Sequence, residues 1–362
     1  MSSSVLTSNA SRVVGLDIAR GLAILGMFVA HAIPRGGGEL LVDGRSSILF
    51  ASLAGVSVGI MTGSARPLER GRRADRVVGI ILRALILLVL GFMLNILNSE
   101  VAVILDYYGV MFLLIAPVLF APRWTLGLGA AVLLVGAPML AAVLNGAGPT
   151  MQPLAALVRG YFLTGDYPAL IFLPFLLVGL IAARSDLGRA KTQFWMIAGG
   201  VLAAVLGYGA AYVLPGLTAR AHSGSTAEIL GSGGFALAVI GTLLWLTARE
   251  RGRVGQVLRA VLWPIGATGS MALTVYTLQI LLLAVAVGVR DNFHTIDYPG
   301  WPLLLGMTFG SLVFVSLWRR FLGKGPLERG LAFATREPVS RAKARARARS
   351  HDAAPEPKIQ NR

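Results

Sequence analysis

Residues 12–34 read RVVGLDIARGLAILGMFVAHAIP, a largely apolar run interrupted by one acid, one histidine and, internally, one arginine. At 1.5 Å of rise per residue such a run crosses about 30 Å of hydrocarbon, so it reads as a transmembrane helix. Arg20 and His31 are eleven residues apart. That is nearly three turns, which sets them within roughly 20° of one another and about 16 Å apart along the axis. Asp17 precedes Arg20 by three residues, so it shares that face and can pair with the guanidinium. An arginine inside a span costs about 2.5–3.5 kcal/mol on insertion scales and normally faces protein rather than lipid. Two readings of the face stay open. Either Asp17–Arg20 is a neutralised pair at one interface with His31 as a polar end cap, or the face lines a path across the bilayer. In the second case an imidazole, with a reference pKa of about 6.5, is the side chain suited to take and return a proton near neutrality.

The rest of the chain has the same character. Of 362 residues 55% are hydrophobic and 14% charged, and the mean hydropathy is +0.71. Soluble domains run about 45–50% apolar and about 25% charged, so the expected fold is an all-α polytopic membrane bundle. Spans are predicted at about 14–33, 46–62, 77–97, 101–121, 125–144, 167–183, 194–214, 234–248, 261–288 and 303–320, ten in all. One set of connecting loops carries thirteen Arg and Lys residues, the alternate set five. The positive-inside rule therefore predicts both termini in the cytoplasm and a multi-pass protein of the inner (plasma) membrane. Residues 1–13 are expected to be a cytoplasmic lead, 14–335 the membrane domain, and 336–362, with its RAKARARARS run, a disordered basic tail. The net charge of +16 then points to anionic lipids rather than nucleic acid. No cysteine is present and only four histidines are, which excludes thiolate metal sites, disulfides and cysteine nucleophiles; no metal site is expected. No Walker loop, dinucleotide fingerprint or H-E-x-x-H occurs.

The L-D-x-x-R-G at 16–21, followed after Arg20 by ten intervening residues and then His31, resembles the opening signature of the acyltransferase-three type of membrane acyltransferases. It is also similar to bacterial YeiB-like proteins and to heparan-alpha-glucosaminide N-acetyltransferases. GRSSILFASLAGVSVGI (44–60), DYYGVMFLL (106–114), GDYPALIFLPFLLVGLIAAR (165–184), GSMALTVYTLQ (269–279) and GKGPLERGLA (323–332) resemble the YeiB-like group in particular. The resemblance implies transfer of an acyl group, expected to be acetyl, from cytosolic acyl-CoA to an envelope glycan, a lipid or a small acceptor, with no tightly bound cofactor. His31 matches the histidine proposed as catalytic, and Arg20 the arginine proposed to hold the donor. Tyr276 and Gln279 stand where such proteins often have a Tyr and a His. Gln279 cannot act as a base.

Other polar residues carry open alternatives. Asp106 is expected at the depth of His31, either as the carboxylate that orients the imidazole or as an interfacial acid reaching water. Tyr108 is read as an oxyanion donor or an interfacial belt residue, Arg45 as an acceptor anchor, an Asp106 partner or a headgroup anchor. Arg83 lies near a helix end, where it can snorkel. The rival function is a transporter or lipid flippase using Asp17, Arg20, His31 and Asp106 as a relay; a third is a non-catalytic scaffold. Nothing in the sequence opposes a homodimer.

Overall fold

A computed structural model of the chain describes residues 13–33, 39–146, 148, 151–248, 251–292 and 300–335. The first twelve residues and the basic tail, with its expected disorder, lie outside the described residues. Fourteen helices are described: α1 (Val14–Ala32), α2 (Arg45–Met61), α3 (Arg70–Asn95), α4 (Leu105–Ile115), α5 (Arg123–Gly146), α6 (Pro153–Arg159), α7 (Ala169–Arg184), α8 (Ala190–Val213), α9 (Thr226–Leu246), α10 (Gly252–Val261), α11 (Trp263–Ser270), α12 (Ala272–Asn292), α13 (Gly300–Phe321) and α14 (326–335). No strand occurs among the described residues. Eight helices are long and apolar enough to cross a membrane, counting Pro153–Arg184 as one, and two shorter apolar ones, Arg45–Met61 and Leu105–Val118, accompany them.

Several boundaries differ from the sequence reading. The span expected at 261–288 is two helices, α11 and α12, broken at Met271. The fourth span shortens to α4 plus a tight turn over Ala116–Val118, because Pro117 supplies no N–H to continue the ladder. The eighth begins at Thr226 rather than 234, where the Ser225 hydroxyl accepts the Glu228 backbone N–H at 3.0 Å and caps the helix. α6 and α10 occupy stretches expected to be loop.

Large apolar side chains exposed on α5, α8 and α13 turn outward, as expected of helices whose solvent is lipid. The core sits around α1, α2, α4 and α7. Helices approach closest where glycine removes a side chain. Gly55 of α2 lies on the Leu176 carbonyl of α7, and Gly179 of α7 on the Ser52 carbonyl of α2, the small-residue packing that lipid favours. α1 meets α11 in the same way, through Gly21 and Gly269. Arg290 near the end of α12 forks onto Glu100 in the α3–α4 loop at 2.6 and 2.9 Å. That hydrogen bonding holds the Glu100 carboxyl below the ordinary range.

Candidate functional site

The polar face of α1 is assembled by its neighbours. Arg20 Nη1 donates to Asp17 Oδ1 at 2.9 Å and to the Gly269 carbonyl at 3.2 Å, and Nη2 donates to Ser57 Oγ at 3.0 Å. The guanidinium thus joins α1, α2 and α11, and the Gly269 contact exists because that residue has no Cβ to hold the backbones apart. Three turns further along, the amide of Gln279 on α12 bonds to His31 Nδ1 at 2.8 Å. An amide NH2 only donates, so Nδ1 accepts here. Turning the amide over would let Oε1, which has no partner in this arrangement, accept from an Nδ1–H instead.

Tyr276 lies one turn before Gln279 on the same helix. It is fully buried, and its hydroxyl accepts the Ile104 backbone N–H at 3.0 Å. Tyr108, also buried, has a hydroxyl with no hydrogen-bond partner among the described residues.

Two contiguous cavities lead to Arg20, Tyr108 and Tyr276, while His31 and Gln279 line neither of them. A wide mouth of about 570 Å³ is lined by Arg72, Arg76, Lys324 and Asp75 among others. It shares Arg83, Ser270 and Glu328 with a chamber of about 240 Å³. That chamber is bounded by Arg20, Ser57, Tyr108 and Tyr276 and otherwise largely by apolar groups such as Phe50 and Leu87. Glu328 on α14 accepts the Thr274 backbone N–H at 3.0 Å and its hydroxyl at 2.6 Å, which satisfies the first turn of α12 exposed by the break at Met271. A passage with basic groups at its mouth and a guanidinium and two phenols within can hold an anionic, partly apolar molecule lengthwise.

Asp106 is placed differently from the expectation. Its Oδ2 accepts from Asn95 Nδ2 at 3.1 Å and from the Tyr161 hydroxyl at 2.6 Å; no hydrogen bond among the described residues joins it to His31. Gln279 holds the position at the imidazole that the sequence reading offered to this carboxylate. Asp106 and Tyr107 line a separate pocket, while Leu105 and Tyr108 line the chamber, so the first turn of α4 is a partition between the two. Arg45 is also elsewhere. It bonds to the Tyr208 hydroxyl at 2.8 Å, lies over the same ring, and forms an ion pair with Glu39 at 3.6 Å, away from Asp106.

Sequence reasoning missed Ser57, Glu328, Asn95 and Tyr161 as members of these sites. It read Arg83 as snorkelling, whereas Arg83 lines both cavities. The one usable signal was a charged residue within an apolar run, which fits Arg83. A lone serine, amide or tyrosine at a helix end gives none.

An all-helical, membrane-type bundle with a basic-mouthed passage is the class that fold and site define. Within it, the family model described as a protein of unknown function, DUF418, matches residues 180–333, from the end of α7 into α14. The match covers Tyr276, Gln279 and Glu328 and is consistent with the YeiB-like resemblance. No curated protein matches the chain.

Proposed function

We propose that this chain is a membrane-embedded acyltransferase of the cell inner membrane, taking an acyl group, expected to be acetyl, from acyl-CoA. One observation carries the reading: the basic mouth opens through Arg83 and Glu328 into a chamber that ends at Arg20, Tyr108 and Tyr276. The nucleotide phosphates of the donor sit among Arg72, Arg76 and Lys324, and the pantetheine arm runs inward toward Arg20. The hydroxyl of Tyr108 and the proton of the Tyr276 hydroxyl are then available to the thioester oxygen, where negative charge develops. His31 takes the proton of the acceptor hydroxyl or amine as its oxygen or nitrogen bonds to the acyl carbon, and gives that proton to the sulfur of coenzyme A as the thioester C–S bond breaks and the thiol leaves. With the Gln279 carbonyl accepting from Nδ1–H, the Nε2 lone pair is the basic site. Asp17, Arg45 and Asp106 support the helix face and the far side of the bundle rather than touching the reacting atoms. The acceptor is a glycan, a lipid or a small molecule of the envelope.

The reading needs the basic mouth in the cytoplasm, hence both termini inside and ten crossings. Reporter fusions after Arg123 and after Ala348 are expected to read cytoplasmic, and one after Gly148 external. An external reading at the C-terminus would place the mouth on the wrong side of the membrane and end the proposal. The direct test supplies labelled acetyl-CoA to the purified protein in liposomes with an envelope extract, and expects label in an extracted molecule. Arg20→Ala is expected to weaken donor binding or turnover about tenfold or more, since it removes a partly buried fork together with its ion pair to Asp17. Arg20→Lys should restore part of it. Full activity of Arg20→Ala at normal expression would return this residue to a structural role.

The break at Met271 favours a second reading. A discontinuous helix whose freed end lines a cavity is the way many transporters build a substrate site. Uptake of the intact donor into liposomes without label on any acceptor would select transport.

A further inference from the structure

Asp106 is 1% exposed, yet its hydrogen-bond donors, Asn95 and Tyr161, are both neutral. Among the described residues no Arg, Lys or His pairs with it, and its Oδ1 has no hydrogen-bond partner. A buried carboxylate without a cation carries a desolvation cost. It also lines a pocket of about 350 Å³, within the size range of small-ligand sites. Asp166 lies at the rim of that pocket, solvent-exposed. Tyr107 and Tyr161, whose rings pack on one another with centroids 4.8 Å apart, also line it. The lining contains no basic side chain. Two carboxylates, two phenol rings and an amide around an opening form the surface that recognises a cation, through charge-assisted hydrogen bonds and ring-face attraction.

We propose that this pocket binds a primary ammonium group, seated between the Asp106 carboxylate at its floor and Asp166 at its rim. The site stands whether or not the chain transfers acyl groups, since it lies across the α4 partition from the chamber. Divalent metal is a poorer occupant, because no group of three or more metal-type ligands occurs among the described residues.

The test is equilibrium binding of labelled ethanolamine to the full-length protein in phosphatidylglycerol nanodiscs, with ethylene glycol as the neutral competitor of similar size. Saturable ethanolamine binding that ethylene glycol does not displace is expected. Asp106→Asn should weaken it about tenfold or more, and Asp166→Asn severalfold, by loss of charge-assisted hydrogen bonding. Asp166 is exposed, so its variant keeps the test decisive if Asp106→Asn does not fold. Binding that fails to saturate, displacement by ethylene glycol at equal concentration, or wild-type affinity in both variants would overturn the assignment. A parallel set of nanodiscs containing phosphatidylethanolamine identifies the source. Loss of the labelled ethanolamine there assigns a lipid headgroup, and unchanged binding assigns a soluble amine. Asp106→Asn should leave acetyl-CoA binding in place, which separates failure of this site from failure of the acyltransferase reading.

Discussion

His31→Ala is expected to lower acyl transfer by about 10²–10⁴-fold, the span that general acid–base groups contribute, while the protein stays folded and inserted. His31 is half-buried at the end of α1 and is hydrogen-bonded to Gln279 of a neighbouring helix. Thermal unfolding of the variant in detergent separates a chemical loss from a structural one. His31→Gln is the sharper variant. It keeps hydrogen-bonding capacity toward Gln279 but cannot take a proton at neutral pH, so it should be as inactive as alanine. Gln279→Glu should raise the apparent pKa of the ascending limb of the pH–rate profile, because a carboxylate beside the ring favours the imidazolium. Labelled acetyl-CoA turnover in liposomes reads all three. Near-wild-type transfer by His31→Gln would remove the base assignment and leave the transport reading in front.

The second large effect is on stability. Arg184 ends α7 only 7% exposed. Its Nη1 donates to the carbonyls of Gly59 at 3.4 Å, Thr62 at 3.3 Å and Ser64 at 2.7 Å, and its Nη2 to Thr62 Oγ1 at 2.7 Å and the Leu119 carbonyl at 2.9 Å. One guanidinium thus fastens the turn after α2 and the turn after α4 to the end of α7. Arg184→Ala strands several buried acceptors at once and is expected to cost about 3 kcal/mol or more. Arg184→Lys, with a point charge and no planar fork, should recover a minority of that. Thermal unfolding in detergent checks both, and an Arg184→Ala protein that melts with the wild type would refute the account.

The sequence made the helical class and the polar face of α1 readable because both depend on local spacing. A 3.6-residue period puts Asp17, Arg20 and His31 in line whatever surrounds them. It could not say what they would meet. Ser57, Gly269 and Gln279 arrive from other helices; the resemblance of 269–279 marked Gln279 as a site residue, but nothing in the sequence paired it with His31 or marked Ser57 and Gly269 as partners of Arg20. Asp106 shows the limit of reasoning from depth alone: its expected level in the membrane left its direction around α4 open, and that direction sends it to Asn95 and Tyr161. The start of α9 was legible, since Ser225 and Glu228 carry the capping spacing, but an apolar-run criterion passes over polar first turns. The break at Met271 has no such marker. No proline interrupts Gly269–Ala272, and the break is held by Glu328, which lies more than fifty residues away.

The partition formed by the first turn of α4 bears on whether one compartment senses the other. Leu105 and Tyr108 face one compartment, Asp106 and Tyr107 the other, and the two share no lining residue. Two ligands can therefore be resident together, each without vacating the other's place. Occupancy of one compartment should then leave the affinity of the other unchanged: acetyl-CoA binding curves taken at several fixed ethanolamine concentrations should superimpose, and curves that shift with ethanolamine would mean that the partition transmits occupancy from one side to the other.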